Sequence, residues 1–121
     1  MTDVLFNMKK IPNHPPEYYY GNKEYKLSLG YQNEKPNKIK NLLEKKASQM
    51  LFRLFEGNGY AKYLIGVEDN GNAIGIDSID LMLSIENLVK ITKKIDVIIC
   101  KITIYKGSKG YIASVKLKKL F

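Results

Sequence analysis

Two stretches of the chain repeat apolar residues at the spacing of an α-helix. From Pro36 to Glu56 they recur every three or four positions, which predicts one buried helical face. That face consists of Ile39, Leu43, Ala47, Met50 and Leu54. Pro36 suits the first turn of this helix, and Gly57 suits its end. A second helix is predicted after Asp77 or Ser78, either of which can cap it. Its buried stripe is predicted to be Leu81, Met82, Ile85, Leu88 and Val89.

Other segments alternate apolar and polar residues, which predicts strands with one buried face. These segments are 23–30, 60–67, 72–76, 96–106 and 111–118. Turn-forming residues at 69–71 and 107–110 predict two hairpins. In the fourth strand, alternation turns Ile98, Cys100, Ile102 and Ile104 towards the core. The resulting order is β-α-β-β-α-β-β, so we predict an α+β fold with a single mixed sheet and two helices on one face.

Residues 1–22 precede these elements and are predicted to form an extended N-terminal arm. Prolines at positions 12, 15 and 16 rule out a helix there and force the residues before them to be extended. Three consecutive tyrosines follow, and then a Gly21-Asn22 turn signal. We therefore predict two parts, the arm at 1–22 and a single α+β domain at 23–121.

The net charge of +8 is concentrated at the carboxyl end of the chain. From residue 90 onward there are nine lysines and one acid, Asp96, which gives 9 − 1 = +8, whereas the first 89 residues sum to zero. A concentrated positive surface is typical of proteins that bind polyanions, although a solvated lysine-rich surface is the alternative. We predict that the nine form one contiguous RNA-binding surface: Lys90, Lys93, Lys94, Lys101, Lys106, Lys109, Lys116, Lys118 and Lys119.

Motifs for catalysis or for cofactors are absent from the sequence. It has no phosphate-binding GxxxxGK[ST] loop, no CxxC pair and no HExxH, and one histidine with one cysteine cannot build a zinc site. We therefore expect no catalytic residue, metal, cofactor or small-molecule substrate. His14 and Cys100 are predicted to be structural. The sequence has no membrane-spanning apolar run, and the single cysteine favours a reducing, cytoplasmic location.

Three segments of the chain resemble a known protein family. Residues 24–29, 48–54 and 56–71, together with Gly75, are similar to the small domain ahead of the GTPase in the GTP-binding protein 1 and 2 family of translational GTPases. Tyr60 stands where that family has an acid. The chain stops where the GTPase domain would begin, so the resemblance implies ancestry in the translation machinery without GTP hydrolysis.

A second, looser resemblance connects the 65–71 hairpin to the Schlafen and AlbA-like nucleic-acid-binding fold. Nucleases of that fold use clustered acids. Glu24 matches one of them, but Tyr19 and Tyr20 stand where the earlier glutamate is expected. This resemblance therefore implies RNA binding more than RNA cleavage.

The sequence as a whole predicts a non-enzymatic, ribosome-associated factor that binds rRNA and acts as an inhibitor or dormancy factor. The nine lysines would contact phosphates, while four aromatic residues would stack on unpaired bases. These residues are Phe6, Tyr18, Tyr19 and Tyr20. One alternative is a metal-dependent ribonuclease that uses Glu24, Glu68 and Asp69, with Asp77 as a further candidate acid. The other is an N-terminal interaction domain of a translational GTPase, and tRNA stays open as the ligand.

Overall fold

The fold is a five-stranded mixed sheet with two helices packed on one face, which confirms the predicted α+β class. The computed structural model describes residues 3–120. Its elements are β1 (Val4–Lys10), β2 (Lys23–Lys26), α1 (Pro36–Glu56), β3 (Tyr60–Ile65), α2 (Ser78–Lys94), β4 (Val97–Lys106) and β5 (Tyr111–Lys119). The strands lie in the order β1-β4-β5-β3-β2. Strand β5 is antiparallel to β3 and to β4, whereas the two edge strands are parallel to their neighbours.

Helix α1 forms where the sequence predicts it. Pro36 occupies the first turn, and the backbone N–H of Gly57 closes the helix on the carbonyl oxygen of Arg53 at 3.1 Å. Most of the predicted face is buried, namely Leu43, Ala47, Met50 and Leu54. Arg53 lies next to Leu54 in the sequence and is buried as well, although it carries a charge.

Helix α2 begins at the predicted cap and buries part of the predicted stripe. The Asp77 side chain accepts a backbone N–H of the first turn at 2.8 Å. Met82, predicted to be inside, is exposed. Ser84 and Asn87 are buried instead, because they bond the backbone of Leu29 at 2.9 and 2.6 Å. Of the predicted stripe, Leu81 and Leu88 are buried, and Ile85 packs against the core.

Two predicted segments differ from the structure. Residues 4–10, within the predicted arm, are extended and exposed, and they pair with β4 as the edge strand β1. Residues 72–76 do not form the predicted strand. Ile76 makes an isolated β-bridge to Tyr111 of the sheet. The division of the chain at residue 22 stays a prediction.

A β-bulge in β4 changes which residues face the core. The register shifts between Ile99 and Lys101, so alternation is interrupted at Cys100. Ile102 and Ile104 face the helices as predicted, whereas Cys100 and Ile98 are exposed. The prediction that Cys100 faces the core is therefore wrong.

The sheet face opposite the helices, which we call the open face, is covered at one end. A small apolar cluster lies there, formed by Tyr25, Leu64, Val67, Ala73 and Ile112. Residues 11–17 cross over it, with the His14 N–H bonding the Gly71 carbonyl at 2.8 Å and the Tyr25 hydroxyl bonding the Pro15 carbonyl at 3.0 Å. Residues 7–14 also border a groove over Lys62, Leu64 and Ser114, and Lys62 is half-buried there. Across the described part of the chain, residues 3–120, no helix has the length and apolar character needed to cross a membrane.

Candidate nucleic-acid interface

Four lysines lie side by side across four adjacent strands of the open face. Lys23 of β2 pairs with Lys62 of β3, Lys62 pairs with Lys116 of β5, and Lys116 pairs with Lys101 of β4. Directly paired residues project from the same face of a sheet. Because neighbouring strands are about 4.8 Å apart, the four Cα atoms span about 14 Å in a line. We call these four residues the lysine row.

The burial of the flanking residues fixes the face on which the row lies. Ala61 and Tyr63 of β3 are buried in the core under the helices, so Lys62 between them projects to the open side. The same alternation holds for Lys116, which lies between the core residues Val115 and Leu117. The row is therefore on the side of the sheet opposite the helices.

The electrostatics of the row are those of uncompensated like charges. Burial lowers the pKa of Lys62, and the neighbouring charges of Lys23 and Lys116 lower it further. The pKa of His14 is lowered in the same way, first by burial and then by Lys62 and Lys23. Within residues 3–120 no lysine of the row forms an ion pair. Such a surface attracts anions.

The nine predicted lysines do not form one surface. Three of them, Lys101, Lys116 and Lys118, are on the open face. Three others belong to the last turns of α2 and line a groove against the start of α1, on the helix side: Lys90, Lys93 and Lys94. The Lys119 ammonium group donates to the Ile95 carbonyl. Lys106 is the last residue of β4, and Lys109 lies in the turn of the β4–β5 hairpin. The prediction that they form one contiguous surface is therefore wrong. Strand alternation and the fold separate residues that are close in sequence.

Two lysines of the row were not among the nine predicted RNA-binding lysines. Lys23 and Lys62 lie in the part of the chain whose net charge is zero. The alternation from 60 to 67 already turned Lys62 outward, so the signal for its face was present. The sequence did not indicate that β3 pairs with both β2 and β5, and this pairing places Lys62 between Lys23 and Lys116.

The predicted stacking residues lie at two separate edges of the sheet. Tyr18, Tyr19 and Tyr20 are all exposed and precede the edge strand β2. The Tyr19 ring contacts Tyr20 edge-on at 4.9 Å and Phe52 of α1 at 6.0 Å between centroids. Phe6 is exposed on β1, at the opposite edge. Their roles in RNA binding stay predictions.

The tyrosine segment is held in place by a buried arginine. Arg53 is only 4% exposed. Its guanidinium donates to the backbone carbonyls of Tyr18 (2.9 Å), Tyr19 (3.2 Å) and Gly21 (2.9 Å). Its Nε atom donates to Oε1 of Glu24 at 2.9 Å, and Glu17 lies 3.8 Å from Nη2. The three tyrosines are thus exposed side chains on a fixed backbone.

Glu24, a candidate acid of the ribonuclease alternative, is buried and has a structural role. It is 5% exposed, and its second oxygen pairs with the Lys26 ammonium group at 3.3 Å. Both carboxylate oxygens are therefore in contact with a cation of this chain, which conflicts with the ribonuclease alternative. Among residues 3–120 no group of three or more His, Cys, Asp or Glu residues could hold a metal ion.

The fold and the lysine row define a small α+β domain with a cationic sheet face. Over 84 residues, or 69% of its length, the chain is 39% identical to GTP-binding protein 2 of mouse and, equally, to that of human. It spans about 13% of the length of these relatives. The predicted resemblance to the GTP-binding protein 1 and 2 family is confirmed, and it supports a translational GTPase-like N-terminal domain. No protein-family model and no solved structure matches the chain.

Proposed function

We propose that this chain is a non-enzymatic, ribosome-associated factor that binds rRNA through the open face. The lysine row is the observation on which this proposal rests. Like charges directly opposite each other destabilise a sheet, and the row contains three such pairs. A bound polyanion offsets this repulsion, so the lysine row would bind successive phosphates of a nucleic-acid strand.

Lysine contacts give affinity with little sequence preference and a steep dependence on salt. Each ammonium group is a flexible point charge, which suits the irregular phosphate surface of folded rRNA. Lys118 on the same face, and the stacking aromatics at the sheet edges, would add further contacts. Acidic proteins would also be attracted, but the resemblance to translational GTPases favours the ribosome.

The inhibitory or dormancy role is the second part of this proposal. A domain that binds phosphates across a functional ribosomal site would block that site for other factors. Its release would depend on salt or on competition. We therefore expect the protein to reduce the output of a translating extract in proportion to its occupancy of ribosomes.

Binding to purified rRNA at several salt concentrations tests the phosphate contacts. Four contacts to single-stranded segments predict a slope of log affinity against log salt of about −2.8. The double variant Lys62→Gln/Lys116→Gln should reduce the slope to about −1.4, because two contacts are lost. The control variant Lys38→Gln/Lys45→Gln removes the same charge from α1 and should leave the slope unchanged. Equal effects of the two double variants would refute the role of the row.

Sedimentation through a sucrose gradient tests the partner. At low salt we expect the protein to travel with ribosomes, and at high salt to remain near the top. The Lys62→Gln/Lys116→Gln variant should stay near the top at both salt concentrations. Wild-type protein that never enters the ribosomal fractions would contradict the proposal. Translation in an extract, with and without the same variants, then measures inhibition.

A further inference from the structure

We infer that Tyr60 is a stacking platform for an unpaired base, which makes single-stranded RNA the ligand class of the lysine row. This inference rests on the proposed function and adds a selectivity that phosphate contacts do not provide. Lysines bind the phosphates of paired and unpaired strands alike. A residue that distinguishes the two must contact the bases themselves.

Tyr60 lies beside the row on the same face. It precedes Lys62 by two residues on β3, so its side chain projects to the same side at about 6.6 Å along the strand. Its partner across the sheet is Lys118 of β5. Tyr60 is 54% exposed, whereas the next residue, Ala61, is in the core. A large aromatic surface is thus open to solvent next to a line of positive charge.

The backbone of Tyr60 is held in position, and a lysine lies over its ring. The Lys118 ammonium group lies 5.7 Å from the centre of the Tyr60 ring. The Tyr60 N–H donates to the Gly57 carbonyl at 3.1 Å, and its carbonyl accepts from the Asn22 amide at 3.4 Å. A platform fixed in this way loses little entropy when a base stacks on it.

This geometry matches one nucleotide of an unpaired strand. A phosphate contacted by Lys62 and Lys116 leaves its base within reach of the neighbouring ring. In a duplex that base is paired and stacked on its neighbours, so the ring cannot reach its flat surface. Stacking on an aromatic side chain is tolerant of base identity. The expected ligand is therefore an unpaired RNA segment of no fixed sequence.

Fluorescence anisotropy with two RNA probes tests this inference. The probes are an unstructured strand of about 12 nucleotides and the duplex of the same length, at one salt concentration. Tyr60→Leu should weaken binding of the single strand by about 5- to 150-fold and change duplex binding by less than about twofold. Tyr60→Phe keeps the ring and should bind like wild type. Phe55→Leu removes an exposed ring from α1 and should change neither affinity.

The possible outcomes separate the inference from the proposed function. If Tyr60→Leu weakens both probes equally, or neither, the inference is overturned while RNA binding by the row stands. If Tyr60→Phe is as weak as Tyr60→Leu, the ring is not the platform. If wild-type protein binds neither probe, both the inference and the proposed function fail.

Discussion

Replacing Arg53 with methionine removes the buried charge that holds residues 17–24 against α1. The change leaves Glu24 buried, with Lys26 at 3.3 Å as its remaining ion-pair partner. It also removes the donors for three backbone carbonyls. Breaking a buried pair by removing one partner typically costs about 3–5 kcal/mol. We expect the lower end, about 3 kcal/mol, because Lys26 remains and water can reach the exposed tyrosine segment. This loss is a large part of the roughly 5–15 kcal/mol that stabilises an ordinary domain.

Urea unfolding followed by far-UV circular dichroism measures this loss. The matched control is Lys38→Met, which breaks the exposed Lys38–Glu34 pair and should cost less than about 1 kcal/mol. Adding Glu24→Gln to Arg53→Met should restore part of the stability, because the negative charge buried at Glu24 is then removed. A cost for Arg53→Met within about 1 kcal/mol of the control, or no rescue by Glu24→Gln, would refute the role assigned to this arginine.

Three further changes test other parts of the structure. The folded pKa of His14 lies below its ordinary value of 6.5, so the unfolded chain takes up the proton first and stability should fall as pH drops below that value. His14→Gln should flatten this trend in urea titrations, and an unchanged trend would contradict the assignment. Gly71 and Gly59 have φ of +93° and +94°, but only at Gly71 would a Cβ meet a carbonyl oxygen, that of His14 at 1.9 Å. Gly71→Ala should therefore lose about 1–3 kcal/mol more than Gly59→Ala, and equal losses would contradict the docking of residues 13–15. The exposed Cys100 thiol should react with Ellman's reagent as fast in the native as in the unfolded protein, and protection would place it inside.

The sequence predicted the buried residues of an element correctly where that element buries a single apolar face against the core. In α1 the apolar period and the core agree, so the predicted face is correct. In β4 the run Ile98-Ile99-Cys100-Lys101 has apolar residues at both parities, so alternation alone does not reveal the bulge. In α2, Ser84 and Asn87 are buried by bonds to the backbone of a segment distant in sequence, which no local period can encode.

The candidate interface was predicted only in part, because it depends on the order of strands. Lys101 and Lys116 belong to one hairpin, and their shared face follows from the turn between them. Lys23 and Lys62 join them only because β3 lies between β2 and β5 in the sheet. The strand order depends on pairing between strands that are distant in sequence, so no single segment predicts it. The role of Arg53 was missed for a similar reason, since its partners lie between Glu17 and Glu24, 29 or more residues away in the sequence.

Charge in this protein is sorted by face of the sheet more than by position along the chain. Lys23 and Glu24 are neighbours in β2, and their charges cancel in any count along the sequence. Alternation sends Glu24 to the helix side, where Arg53 and Lys26 engage it, and sends Lys23 to the open side. The acid is thereby unable to neutralise the lysine next to it. The zero net charge of the first 89 residues conceals half of the row, so the cationic face is a product of the fold.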